Sequence, residues 1–193
     1  MICIGKKAPD FSCEAVVNKQ IKKVNLSDFD GKYKVIFFYP LDFTFVCPTE
    51  LHAFQALLPE FEKRNAQVLG VSVDSAYSHL AWLNTPKNKG GIEGVTYPIL
   101  SDINKNISKD YGVLDDCQGV AFRGAFILDK ENTVQSVLVN NLSLGRNISE
   151  FVRLIDALQF SEKNGQVCPA NWNSGKQAMD PTSQGLLDYF GDK

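Results

Sequence analysis

An α/β sandwich with a mixed sheet is the fold class this sequence predicts. Short apolar runs of strand length alternate with amphipathic helical stretches in the early part of the chain. A strand–turn–strand pattern follows late, and one more amphipathic helix comes after it. The first strand is the apolar run 35–39, entered from the polar turn Asp30-Gly31-Lys32. Residues 49–64 read as a helix, because Leu51, Phe54, Leu58 and Phe61 fall on one face. Residues 68–73 form a second apolar strand. A helix over 77–84 stops before Pro86, and a weaker one covers 103–111. Strands at 124–128 and 134–139 flank the turn Asp129-Lys130-Glu131-Asn132 as a hairpin. Asn147 then caps a helix with Glu150 three residues on, and Phe151, Leu154, Ile155 and Leu158 form its apolar stripe.

The periodicity fades after Phe160, which divides the chain into a core domain, 1–160, and a C-terminal arm, 161–193. The arm is read either as a frayed tail or as a segment docking on a partner subunit. Trp172, Tyr189 and Phe190 favour docking, since free tails seldom carry such large apolar groups.

With 193 residues, 44% apolar and 22% charged, the chain can bury about 70% of its unfolded surface. That excludes disorder as the main state. A net charge of −2 offers no basic excess for nucleic acid or an acidic membrane. No apolar run approaches the ~18 residues needed to span a bilayer. The N-terminus lacks the apolar core of a secretory signal. Five cysteines (Cys3, Cys13, Cys47, Cys117, Cys168), widely spaced and without a C-x-x-C pair, argue against a secreted disulfide framework, structural zinc and a thioredoxin-type dithiol. A reducing cytoplasm is the expected compartment, and neither metal nor bound cofactor is expected.

The chemistry concentrates between residues 39 and 50, Tyr-Pro-Leu-Asp-Phe-Thr-Phe-Val-Cys-Pro-Thr-Glu. Either Pro48 opens the helix and Cys47 caps it, or the helix starts near Asp42 and kinks at Pro48. Both registers aim free backbone N–H groups at the sulfur, at the positive end of the helix dipole, which favours the thiolate. Complete ionisation of a thiol gains at most about 30-fold at pH 7, or ~2 kcal/mol. A fast enzyme therefore needs donors where charge develops. Thr44 lies on the same side of a helical turn and offers a hydroxyl; on local grounds alone it also reads as an ordinary cap.

Pro40-x-x-x-Thr44-x-x-Cys47 resembles the active-site signature of peroxiredoxins, and residues 43–50 are similar to the typical two-cysteine branch. Val167-Cys168-Pro169-Ala170-Asn171-Trp172 resembles that branch's resolving-cysteine motif, and Phe122-Arg123-Gly124-Ala125-Phe126 its arginine motif. Ser78-His79-Leu80-Ala81-Trp82 and Leu144-Gly145-Arg146 also match. The likeness runs from Gly5-Lys6-Lys7-Ala8-Pro9-Asp10-Phe11 to Tyr189-Phe190. It implies a thioredoxin-like fold and a thioredoxin-dependent peroxidase acting on hydrogen peroxide and alkyl hydroperoxides. By resemblance Cys47 is the attacking thiolate. Thr44, with backbone N–H groups around Val46 and Cys47, binds the peroxide oxygens, and Pro40 shields them from water. Arg123 stabilises thiolate and transition state, while Glu50 and Arg146 hold Arg123. On residue type alone the two arginines read as surface ion pairs.

The resemblance further implies that Cys168 of a partner subunit condenses with the Cys47 sulfenic acid to a disulfide, which thioredoxin recycles. The implied assembly is a homodimer, gathered into a pentamer of dimers with residues 75–78 near the dimer–dimer contact. Sulfiredoxin is the implied rescuer of over-oxidised Cys47. Members sensitive to over-oxidation carry a Gly-Gly-x-Gly loop and a C-terminal Tyr-Phe. Here Tyr189-Phe190 is present, but the loop reads Gly90-Gly91-Ile92-Glu93-Gly94, so intermediate sensitivity is expected. Cys3, Cys13 and Cys117 match no motif; Cys13 reads as packing and Cys117 as exposed. His52 and His79 receive no catalytic role, and Trp82 reads as packing. The rival readings are a redox-regulated oligomeric holdase chaperone and a plain disulfide oxidoreductase, the latter disfavoured by the missing C-x-x-C.

Overall fold

The structure, a computed structural model, describes residues 4–191. Cys3 therefore lies outside the described residues. The chain divides into two compact units, with the boundary between Ile148 and Ser149.

The first unit is built on a seven-stranded mixed sheet in the order β2-β1-β5-β4-β3-β8-β9. Hairpin β1 (Ser12–Val17) and β2 (Gln20–Asn25) turns through Asn18 and Lys19, both at positive φ (51° and 61°). That is the twist-matched geometry of a two-residue hairpin. The sequence reading passed over this pair because its turn lacks glycine and β2 is largely polar. β3 (Tyr33–Phe38) is buried at all six positions. It pairs in parallel with β4 (Ala66–Ser72) and antiparallel with β8 (Arg123–Leu128). Both faces of β3 are covered, which explains its continuous apolar run. Phe38 packs edge-on to Phe126, while its neighbour Phe37 points the other way and stacks on Phe54 at 4.1 Å.

The predicted helix over 49–64 is two helices, α1 (Val46–Ala56) and α2 (Leu58–Lys63), separated at Leu57. Pro59 has no N–H to continue the ladder, which accounts for the break. α3 (Ala76–Leu83) begins where Ser75 accepts a bond from Ser78 N and ends before Pro86, as expected. β5 (Ile99–Ser101), three residues long, was too short to announce itself. α4 (Asn106–Asp110) is shorter than predicted; the Asp102 carboxylate accepts from Ile107 N and Ser108 N and so sets its start. A two-stranded ribbon, β6 (Leu114–Asp115) with β7 (Val120–Ala121), precedes β8. β8 and β9 (Val134–Asn140) form the expected hairpin, and β9 is the sheet's edge.

The second unit follows the start of α5 (Ile148–Asn164), whose Phe151 and Ile155 are buried and whose Leu154 and Leu158 are half-buried. Trp172 is 2% exposed, with its ring 5.0 Å from that of Phe160 and its carbonyl held by Arg153 Nη1. A bridge joins Val167 to Met179, and α6 (Ser183–Gly191) ends the described chain with Leu187 and Phe190 exposed. Among the described residues no helix is long and apolar enough to cross a membrane.

The loop after α3 folds back on it: Trp82 Nε1 donates to Gly90 O, and Gly91 N to Pro86 O. A Cβ on Gly91 would stand 1.8 Å from Thr85 O, so only glycine fits. Gly91→Ala should cost about 2 kcal/mol or more, read as a lower denaturant midpoint at unchanged slope. A midpoint equal to that of the unmodified chain would show that the loop yields freely.

Candidate active site

Tyr39 N makes the last bond from the end of β3 to Val71 O, and Pro40, buried and without an N–H, ends the ladder. The chain turns through residues 41–45 into α1. That helix starts at Val46 with Phe45 as cap, between the two registers the sequence left open. Cys47 is thus in the first helical turn, near the unpaired amides of the helix start. Val46 is half-buried, and a Cβ on Gly145 would lie 3.3 Å from its Cγ1.

Cys47 is 0% exposed, yet its sulfur has polar neighbours. Thr44 Oγ1 lies 2.8 Å from Sγ and 2.9 Å from Leu41 O. The hydroxyl has one proton, so it donates to the sulfur when the sulfur is a thiolate. When the sulfur carries its own proton, the hydroxyl turns to Leu41 O. Arg123, first residue of β8, places Nη1 3.4 Å from Sγ.

Glu50, one turn beyond Cys47, ties two arginines together. Arg123 Nη1 donates to Oε2 at 2.8 Å. Arg146 grips the same carboxylate with Nε at 2.8 Å, Nη2 at 2.9 Å and its own backbone N–H at 2.9 Å. Those four donors fill the carboxylate's four lone-pair sites. Two further guanidinium donors reach backbone carbonyls: Arg123 Nε gives to Leu142 O and Arg146 Nη1 to Gly124 O, both at 2.6 Å. The Arg146 guanidinium also sits 5.4 Å over the Phe37 ring. Exposures are 2% for Glu50, 3% for Arg123 and 8% for Arg146. Two positive charges and one negative leave a net positive charge beside the sulfur, a setting that attracts an anion.

Thr44, Cys47, Glu50, Arg123 and Arg146, drawn from three separate stretches of sequence, therefore meet at one point. Both arginines are buried in this network rather than lying in surface pairs. Cys168 lies in the second unit, half-buried, with Sγ 3.6 Å from Ala157 O. Burial raises its thiol above the ordinary value, and Arg153 partly opposes that. Cys13 is pushed up to about 12 by burial first, then by Asp102 and Glu14, as befits a packed thiol. Cys117 is exposed, and Trp82 is buried as packing. Gly90 and Gly94 take positive φ (78° and 94°), whereas exposed Glu93 does not, so a side chain there imposes no backbone strain.

Three contributors were not read from the sequence: the carbonyls of Leu142 and Gly124, which carry no side-chain signal, and the partners of His79. The His79 ring is wholly buried against Asp42.

Residues 4–137 match the model of the AhpC/TSA family, and residues 157–192 match that of the C-terminal domain of 1-Cys peroxiredoxin. The chain is 51% identical over 188 residues to 2-Cys peroxiredoxin BAS1, chloroplastic, of Hordeum vulgare, covering 97% of this chain and 90% of the relative. It is 48% identical over 187 residues to thioredoxin peroxidase of Echinococcus granulosus, covering 97% of each. The crystal structure of reduced Plasmodium vivax 2-Cys peroxiredoxin superposes with a TM-score of 0.95 at 50% identity, covering 97% of this chain and 98% of the other.

Replacing Glu50 by Gln removes the anion between two buried cations. Glu50→Gln should destabilise the protein by about 3 kcal/mol, measured by chemical denaturation. A loss below about 1 kcal/mol would mean the arginines find other partners.

Proposed function

This chain belongs to the AhpC/TSA family, and from that footing we propose how it works as a thioredoxin-dependent peroxidase: Cys47 attacks the peroxide and Cys168 resolves the product. The observation that carries this reading is the sulfur in the first turn of α1, 2.8 Å from the Thr44 hydroxyl and 3.4 Å from Arg123 Nη1.

The Cys47 thiolate attacks one peroxide oxygen along the O–O bond. An S–O bond forms and the O–O bond breaks. The departing oxygen takes a proton and leaves as water, or as an alcohol from an alkyl hydroperoxide, and the sulfur becomes a sulfenic acid. Thr44 and Arg123 are the donors for the two oxygens, and both are in place before reaction, so little reorganisation is needed. Pro40 and Val46 shield the sulfur, and Glu50 with Arg146 keeps Arg123 aimed. A planar fork with five donors can bond sulfur, carboxylate and carbonyl together, as lysine cannot.

The Cys168 thiol of a partner subunit then attacks the sulfenic sulfur. An S–S bond forms, and the hydroxyl leaves with the thiol's proton as water. Cys47 is 0% exposed, so the first turn of α1 must open for this step. Thioredoxin reduces the disulfide by thiol exchange. A homodimer fits the edge strand β9, which presents Leu138 and Val139 at 36% and 48% exposure. A ring of five dimers fits the apolar surface of Phe43, Phe45 and Tyr77, exposed around residues 75–78. The arm from 161 onward would dock on the partner. A cytoplasmic location fits the cysteine usage, and sulfiredoxin is the proposed rescuer of over-oxidised Cys47. The holdase alternative gains nothing from the relatives, whose names are those of peroxidases.

In an assay of NADPH consumption with thioredoxin, its reductase and hydrogen peroxide, the unmodified chain should turn over and Cys47→Ser should not. Cys168→Ser should give one turnover, and its oxidised form should lack the covalent dimer on non-reducing electrophoresis. Continued steady-state recycling by Cys168→Ser would mean the resolving thiol is another residue. Mass spectrometry of Cys47 during a peroxide titration should show its sulfinic form at intermediate dose; its absence at every dose would sink the expected sensitivity.

A further inference from the structure

Resolution makes the Cys47 sulfenic acid wait. Cys47 is 0% exposed, and Cys168 belongs to the second unit, half-buried, with Sγ 3.6 Å from Ala157 O. The first turn of α1 must open before the two sulfurs meet. In that interval a sulfenic acid can condense with a backbone amide nitrogen instead of a thiol. Ring size selects the nitrogen. The amide of Cys47 itself would close a four-membered ring, whereas the amide of the next residue closes a five-membered one. Well-placed intramolecular reactions reach effective concentrations of about 10⁵ M or more, beyond what a thiol on another subunit offers. The next residue is Pro48, third in α1 and half-buried. Its nitrogen carries no proton. Amides in the first helical turn have no partner within the helix, so proline there forfeits no hydrogen bond. Arg123 Nη1, 3.4 Å from the sulfur, belongs to a protonated guanidinium bonded to Glu50 and has no free pair to offer.

We propose that Pro48 is a chemical guard: it closes the five-membered-ring exit from the Cys47 sulfenic acid and so reserves that group for the Cys168 thiol. The proposal rests on Cys47 being the peroxidatic thiol. With an N–H at position 48 the exit is a condensation. An S–N bond forms, the S–OH bond breaks, and the hydroxyl leaves with the amide proton as water. The sulfur keeps its oxidation state, and a thiol reopens the cyclic sulfenamide. A proline nitrogen has no proton to release, so the condensation stops at Pro48. Two partners are left for the sulfenic acid: a thiol, which gives the disulfide, and a second peroxide, which gives the sulfinic acid. Pro48 therefore governs the fate of the intermediate rather than the attack that makes it.

The test uses the full chain carrying Cys168→Ser, in which the sulfenic acid accumulates, with and without Pro48→Ala. Alanine suits a helix and restores the N–H. After an equimolar dose of hydrogen peroxide in thiol-free buffer, mass spectrometry follows the tryptic peptide 35–63, whose single cysteine is Cys47. With Pro48→Ala the peptide should appear about 2 Da below its thiol mass, the sulfenic acid having lost water, and a dithiol should restore it. With Pro48 in place the peptide should gain oxygen and show no such loss. In excess peroxide Pro48→Ala should lower the sulfinic yield severalfold. In the chain that keeps Cys168 it should lower the covalent-dimer yield severalfold on non-reducing electrophoresis. Pro48→Ser restores the same N–H and covers the case where Pro48→Ala fails to fold. A folded variant whose Cys47 is oxidised without the lighter peptide would overturn the proposal, whatever its stability. So would the lighter peptide in equal yield from the chain that keeps Pro48. Peroxide consumption by the unmodified chain and its loss in Cys47→Ser test the peroxidase reading separately.

Discussion

A single buried carboxylate holds the site together. Glu50 stands between Arg123 and Arg146 and accepts four bonds from them. Desolvating three charged groups costs several kcal/mol each, and only near-complete hydrogen bonding offsets that. The network goes far toward that condition: the carboxylate accepts four bonds, and two further guanidinium donors reach backbone carbonyls of Gly124 and Leu142. The network fixes where Arg123 points: Nη1 is held by Glu50 and Nε by the Leu142 carbonyl.

The sheet supplies the geometry that the ion network needs. β3 runs through the core and delivers residues 39–45 to the start of α1, while its antiparallel neighbour β8 brings Arg123 to the same end. Tight packing on both faces of β3 makes those two ends rigid. The loop between β3 and α1, by contrast, is fastened by polar contacts, Asp42 N–H to Asp74 Oδ2 and Thr44 Oγ1 to Leu41 O. Strand β8 thus carries Arg123, and the turn after β3 carries Thr44 and leads to Cys47.

Much of this was legible in the chain itself. The apolar run 35–39, the helical stripe of Leu51, Phe54 and Phe61, and the hairpin around Asp129 each obey a local rule of period or turn chemistry. The active-site string around Cys47 and the motif around Arg123 were readable as family likenesses. The β1–β2 hairpin, three-residue β5 and the break at Leu57 were not. Their signals were a turn without glycine, a strand shorter than one period window and a proline that also suits a helix start.

The sequence by itself determined the layered α/β class, the reactive segment and the residue types around its sulfur, because period, propensity and motif are properties of neighbours along the chain. Only the tertiary structure decided which charges meet. Glu50 finds Arg123 73 residues away and Arg146 96 away, and Asp42 finds His79 37 away. Such pairings depend on strand order and helix register, and on the demand that every buried polar group find a partner. A local pattern carries no record of that demand, so it is met only once the chain has closed on itself.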